Sequence, residues 1–138
     1  MGRCARFSVS VEESLLKQFD ALFRREGFPT RSEAIADGMR RRLVAREWFT
    51  GKEVAGAVAL VYDHHRRPLV GRLMSIQHDF GRLIASTQHV HLDHDNCLEL
   101  IIVRGGARRI RELVSRLNSV KGVKHHALLM TTAGRGNG

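Results

Sequence analysis

Arg6-Phe7-Ser8-Val9-Ser10-Val11 alternates strictly, with Phe7, Val9 and Val11 on one side and Arg6, Ser8 and Ser10 on the other. Period two predicts a short strand over residues 5–11 with one apolar face. The period then changes. Leu15, Leu16, Phe19, Leu22 and Phe23 recur at helical spacing, and Glu12 and Glu13 suit the positive end of a helix dipole. Gly27-Phe28-Pro29 ends that helix. Thr30-Arg31-Ser32-Glu33 is a capping box that opens a second helix running to about Trp48, with Gly38 inside it as a point of close packing. One strand followed by two helices has nothing within the chain to pair with. A second copy repairs this by completing a two-stranded antiparallel ribbon, a shape that enters the DNA major groove. Arg6, Ser8 and Ser10 would then face the base edges, and the capped helix would offer its free N–H groups to a phosphate.

Beyond the reset at Thr50-Gly51-Lys52 the pattern differs, which predicts two domains, 1–50 and 51–138. Val54 to Tyr62 reads as a strand, Pro68 to Phe80 as a helix, Leu83 to Leu92 and Cys97 to Val103 as strands, Arg108 to Leu117 as a helix and Val123 to Thr131 as the last strand. That order, βαββαβ, is a ferredoxin-like split βαβ, so the chain as a whole is α+β. The Gly-Arg-Gly-Asn-Gly tail reads as unstructured.

The 138 residues carry a net charge of +9, which favours a polyanionic partner such as nucleic acid. No apolar run approaches the roughly 20 residues that span a bilayer, and the N-terminus does not read as a signal peptide. A cytoplasmic protein without a membrane partner is expected. Cys4 and Cys97 stand in unrelated contexts and do not make a disulfide framework.

The eight histidines all lie between His64 and His126. His89-Val90-His91 places two imidazoles on one face of a strand. Cys97 joins them only if it lies opposite His91, which requires an odd-length loop, Asp93 to Asp95. His78, near the end of the preceding helix, is the fourth candidate. Three nitrogens and one sulfur suit square-planar Ni(II) or Cu(II) and also tetrahedral Zn(II). The pairs His64-His65 and His125-His126 read as ordinary surface histidines. Cys97 beside a histidine could instead be a nucleophile with its base, but no oxyanion-hole motif accompanies it, and an enzyme leaves the strand–helix–helix head unexplained.

The head resembles the ribbon-helix-helix regulators through Arg6 to Val11 and Arg31-Ser32-Glu33-Ala34-Ile35. Gln77-His78, His89-Val90-His91 and Cys97 together resemble the nickel-responsive NikR family over about residues 4–130. That resemblance implies an ACT-like regulatory domain and one Ni(II) per chain, bound by His89, His91 and Cys97 of one subunit and His78 of its neighbour. It also implies a homotetramer, built as a dimer of dimers, and nickel-dependent binding of a palindromic double-stranded DNA operator that represses nickel uptake. Glu33 and Asp37 match positions that hold K+ in some members; two carboxylates one turn apart are also an ordinary solvated pair. Arg66 and Arg67 match a basic pair that can meet the DNA backbone, and read equally as a solvated loop. Ser8 and Ser10 stand where the family often has Thr, so target sequence does not transfer, and the arm with Cys4 departs from the shortest members. The alternatives are a zinc or copper sensor, or an antitoxin-like DNA-binding protein whose second domain binds a protein.

Overall fold

The structure, a computed structural model, describes residues 2–50 and 52–134. Gly51 and residues 135–138, most of the predicted tail, lie outside them. One compact unit ends at Leu43 and the other begins at Val44, within one helix.

In the first unit α1 spans Glu13–Arg25 and α2 spans Arg31–Thr50. The turn between them follows from its residues. Gly27 takes a positive φ of 87°, the Phe28 N–H reaches the Phe23 carbonyl at 3.1 Å, and the Gly27 N–H reaches Arg24 at 3.2 Å. This is a Schellman stop, which needs a residue tolerant of the left-handed region. Thr30 then accepts the Glu33 N–H at 3.2 Å, the first bond of the predicted capping box. Asp20 ties the two helices together by accepting Arg31 Nε at 3.0 Å and Nη2 at 2.7 Å.

The strand expected over residues 5–11 is absent from the chain. Residues 2–12 have no regular secondary structure. The physical reason is the one the sequence gives for a second copy: strand hydrogen bonds need a partner strand, and a single chain supplies none. Phe7 (63% exposed), Val9 (66%) and Val11 (48%) consequently stand open beside Leu15, Ile35 and Met39. Nor does Gly38 admit a close neighbour within the chain, since a Cβ built there meets nothing within 4 Å.

The second unit contains β1 (Glu53–Asp63), α3 (Arg67–Asp79), a 3-10 turn (Gly81–Leu83), β2 (Ile84–His91), β3 (Asn96–Gly106), α4 (Ala107–Asn118) and β4 (His125–Thr132). The sheet is fully antiparallel in the order β2-β3-β1-β4. The βαββαβ order is that read from the sequence. Its core lies on one face of the sheet. Val54, Val58, Leu60 and Tyr62 of β1 and Cys97, Glu99, Ile101 and Val103 of β3 are buried at every second position. Over them α3 contributes Leu69, Leu73 and Ile76, and α4 contributes Ile110, Leu113 and Leu117. Each such side chain removed from water contributes about 1.5–3 kcal/mol. Trp48, at the end of α2, is fully buried in this core and donates its indole N–H to the Thr131 carbonyl at 3.0 Å.

Gly56 makes room for that indole. A Cβ there would meet the Leu129 carbonyl and two ring carbons of Trp48, at 2.9 and 3.0 Å. Gly56→Ala is expected to destabilise the second unit by about 1–3 kcal/mol, the usual cost of overpacking, read as a lowered midpoint in denaturant. In the first unit, the Arg31 hydrogen bonds hold the Asp20 carboxyl below its usual range. A lowered carboxylate adds stability that is complete above its unfolded-state pKa and is lost as pH falls through its folded value. Amide protection in α1 and the first turn of α2 should therefore hold at neutral pH and weaken in acid, below the ordinary carboxylate range. Asp20→Asn should be less protected at neutral pH and lack that acid step, as hydrogen exchange against pH would report.

Candidate metal centre and nucleic-acid interface

The β2–β3 hairpin decides what the histidines can do. Its register pairs His91 with Cys97 and His89 with Glu99, while Leu92 donates its N–H to the Asn96 carbonyl at 2.9 Å. This is the odd-length connection that the sequence requires for Cys97 to share a face with His91. Asp93 builds the turn: its carboxylate accepts the Asp95 N–H at 2.9 Å, the Asn96 N–H at 2.9 Å and the Asn96 side-chain amide at 3.0 Å. Those bonds, the Asn96 side chain first, hold the Asp93 carboxyl below its usual range.

His89 and His91 lie on the helix-bearing face of the sheet, but on its edge strand, and both are exposed. Cys97 is 2% exposed. Glu99 is equally buried, and a buried carboxylate must be bonded to be tolerated. It accepts the Tyr62 hydroxyl at 2.5 Å and the Gln77 amide at 2.7 Å, and His89 Nε2 lies 3.4 Å from it. Burial, and then the bond to Glu99, push the Tyr62 phenol well above its usual pKa, so it stays a donor. Glu99 thus joins a candidate ligand on β2 to Gln77, the neighbour of His78 on α3. The sequence analysis passed over Glu99. Its signal was parity: in Cys97-Leu98-Glu99-Leu100-Ile101 the glutamate shares a face with Cys97 and Ile101 and cannot point to solvent.

His78 is exposed at the end of α3, in a cleft with Phe80, Arg82, Leu83 and Arg109. Among the described residues no three of His78, His89, His91 and Cys97 bring donor atoms within 4.8 Å of one another. A single chain therefore does not assemble the four.

On the other unit, Arg6, Ser8 and Ser10 are all exposed. Asp37 bonds Arg41 at 2.8 Å, and Glu33 caps through its N–H. Arg66 lies in the second unit against Gly122, and Arg67 opens α3.

A helical head with an unpaired N-terminal segment, followed by a βαββαβ unit carrying imidazoles and a thiol, defines a ligand-sensing DNA-binding regulator. The chain belongs to the NikR family of nickel-responsive transcriptional regulators, which are not enzymes. Residues 55–131 match the NikR C terminal nickel binding domain, and residues 5–37 match the ribbon-helix-helix protein, copG family. A protein of Syntrophus aciditrophicus is 46% identical over 98% of each chain. One of Nitratidesulfovibrio vulgaris is 49% identical over 98% of each, and one of Thermococcus onnurineus is 48% identical over 96% of this chain and 97% of its own. Each carries the name "Putative nickel-responsive regulator". An uncharacterized protein TM1266 of Thermotoga maritima shares the fold alone, with a TM-score of 0.52 at 12% identity over 57% of this chain and 98% of that one. No helix among the described residues is long and apolar enough to cross a membrane.

Because Asp93 sets the turn, Asp93→Ala should loosen the pairing of His91 with Cys97 without unfolding the unit. The Leu92 amide should exchange faster than in the wild type while the far-ultraviolet circular dichroism is unchanged. An unchanged exchange rate would show that the register is set elsewhere.

Proposed function

We propose that this chain represses nickel uptake in the cytoplasm as a tetramer, a dimer of ribbon-helix-helix dimers that binds a palindromic operator when nickel is held. His89, His91 and Cys97 of one subunit, with His78 of another, would hold one Ni(II) per chain. Arg6, Ser8 and Ser10 would read the bases from a ribbon formed by two copies. The observation that carries this reading is the pairing of His91 with Cys97, with the Glu99 link from His89 to the residue beside His78. The donor set fits: neutral imidazoles and a thiolate suit a borderline ion, and Cys97 lies opposite His91 without any rearrangement.

When bound, the ion supplies a cross-link between residues that one chain keeps apart. This chain's own residues do the rest. Glu99 fixes the ring of His89 and the end of α3, so a change in how His78 is held is felt at Gln77. Ordering α3 selects one arrangement of the regulatory core, which sets the spacing of the two DNA-binding heads. Coupling of this kind is reciprocal, so operator DNA must tighten nickel binding by the factor with which nickel tightens DNA binding. The reading extends to K+ at Glu33 and Asp37, where it would compete with Arg41 for Asp37.

Titration of the metal-free protein with Ni(II), followed by thiolate-to-metal absorption, tests the site. The band should saturate near one ion per chain, weaken in acid as the ligands take up protons, and disappear in His89→Ala and Cys97→Ala. Glu99→Ala should keep the band but lower affinity by about 10–100-fold, the usual cost of losing a partner behind a metal ligand. Tighter binding of zinc or copper with no nickel band would overturn nickel as the sensed ion. Equal nickel affinity with and without operator would overturn the coupling.

A further inference from the structure

The end of β1 and the β2–β3 hairpin meet because Asp63 pairs with Asn96 across the β1–β3 ladder. This brings two short polar loops together, Asp63-His64-His65 and Asp93-His94-Asp95. The result is a second cluster of metal-binding side chains, apart from Cys97. The donor atoms of His65, His94 and Asp95 all lie within 4.8 Å of one another, and all three residues are exposed. His94 Nδ1 is 2.9 Å from Asp95 Oδ1, and His65 Nε2 is 4.0 Å from that same oxygen.

Those separations suit one ion. Ligands at about 2.1 Å lie about 2.9 Å apart when at right angles and about 4.2 Å apart when opposite. The loops are also held in place before any ion arrives. Asp63 accepts the His65 N–H at 2.9 Å, and Asp93 accepts the N–H groups of Asp95 and Asn96. The Nε2 atoms of His64 and His65 both point at the His94 carbonyl, each at 3.0 Å, so the imidazoles already converge on one point. Three carboxylates, Asp63, Asp93 and Asp95, stand at this end of the sheet in a chain of net charge +9, which favours a cation here. Two imidazoles and one carboxylate select a borderline transition ion such as Ni(II), Cu(II) or Zn(II), and not Mg2+ or Ca2+, which require oxygen.

We propose that His65, His94 and Asp95 form a second site for a divalent transition ion, built within one chain and open to solvent. Three exposed ligands without a thiolate hold an ion more weakly than a set that includes one, so this site fills later and releases more readily. Its place is informative. The His64 ring stacks on His91 at 4.6 Å and 10°, so the second ion would sit beside a proposed ligand of the thiolate site. The inference goes beyond that site and does not depend on it, because none of its three ligands is shared.

The test is a count of ions by equilibrium dialysis of the full chain with Ni(II) alone and with Zn(II) alone, paired with thiolate-to-metal absorption. The wild type should take up a second, weaker equivalent that adds no thiolate band. His65→Ala combined with His94→Ala should lose that equivalent and keep the thiolate band at its original affinity. Asp95→Asn, a milder change, should weaken it at least several-fold while leaving the circular dichroism unaltered. Cys97→Ala should keep it and lose the band. A wild type that takes up only the thiolate-linked equivalent, or a double variant that still binds the second, would overturn the proposal. A chain with no thiolate band that nevertheless loses an equivalent on His94→Ala would support this site while removing nickel from Cys97.

Discussion

The carboxylate of Glu99 is buried, and everything placed around the candidate metal centre follows from the need to bond it. A bare buried carboxylate costs several kcal/mol, so its oxygens must be met by donors. Three elements supply what surrounds it: Tyr62 from β1, Gln77 from α3 and His89 from β2. Shifting β3 by one residue would turn Glu99 to the opposite face, break these contacts and carry Cys97 out of line with His91. The same parity that buries Ile101 and Val103 therefore fixes the thiol and the carboxylate together. Packing energy sets the register, and the register sets the chemistry.

The same network explains how a site at a sheet edge can reach a helix. His89 and His91 are exposed because β2 is the edge strand, beyond the cover of α3 and α4. A chain that stopped there would have ligands but no means of reporting their occupancy. Gln77 provides the path, since it bonds Glu99 from the last turn of α3, one residue before His78. Movement of His78 toward a ligand held by another chain would pull on a helix whose inner face, Leu69, Leu73 and Ile76, is part of the core. Close-packed cores transmit such shifts poorly as continuous deformation and better as a change between discrete arrangements.

Local pattern carried much of this into the sequence. Parity of His89 and His91, and the odd loop needed before Cys97, are properties of a strand and a turn, and the hairpin obeys them. The helix stop at Gly27 and the cap at Thr30 were legible for the same reason: each is satisfied within a few residues. What escaped was non-local. A lone glutamate in a strand reads as solvated until Gln77 arrives from 22 positions away. His64-His65 read as an idle surface pair because nothing in the loop itself predicts the convergence on His94, which depends on β1 and β3 pairing over their full length. The strand at residues 5–11 was legible as a pattern, but its pairing partner is not in the chain, so a single copy leaves it unformed.

Exposure of apolar groups gives the proposed assembly its physical ground. In the first unit Phe7, Val9 and Val11 are open next to Leu15 and Met39, a continuous apolar surface on a domain too small to tolerate it. In the second unit the sheet buries one face only. On the other, Val90 of β2 and Leu129 of β4 are 50% and 65% exposed, with Leu98, Leu100 and Ile102 of β3 between them only half-buried. Scattered exposed leucines need no explanation, but an apolar stripe across all four strands does. Each unit thus carries its own unsatisfied surface, and each is of the kind a second copy satisfies. Two different self-contacts per chain generate a dimer of dimers if each closes as a twofold interface. That arrangement would bring His78 of one chain toward the His89, His91 and Cys97 of another, which a single chain keeps apart.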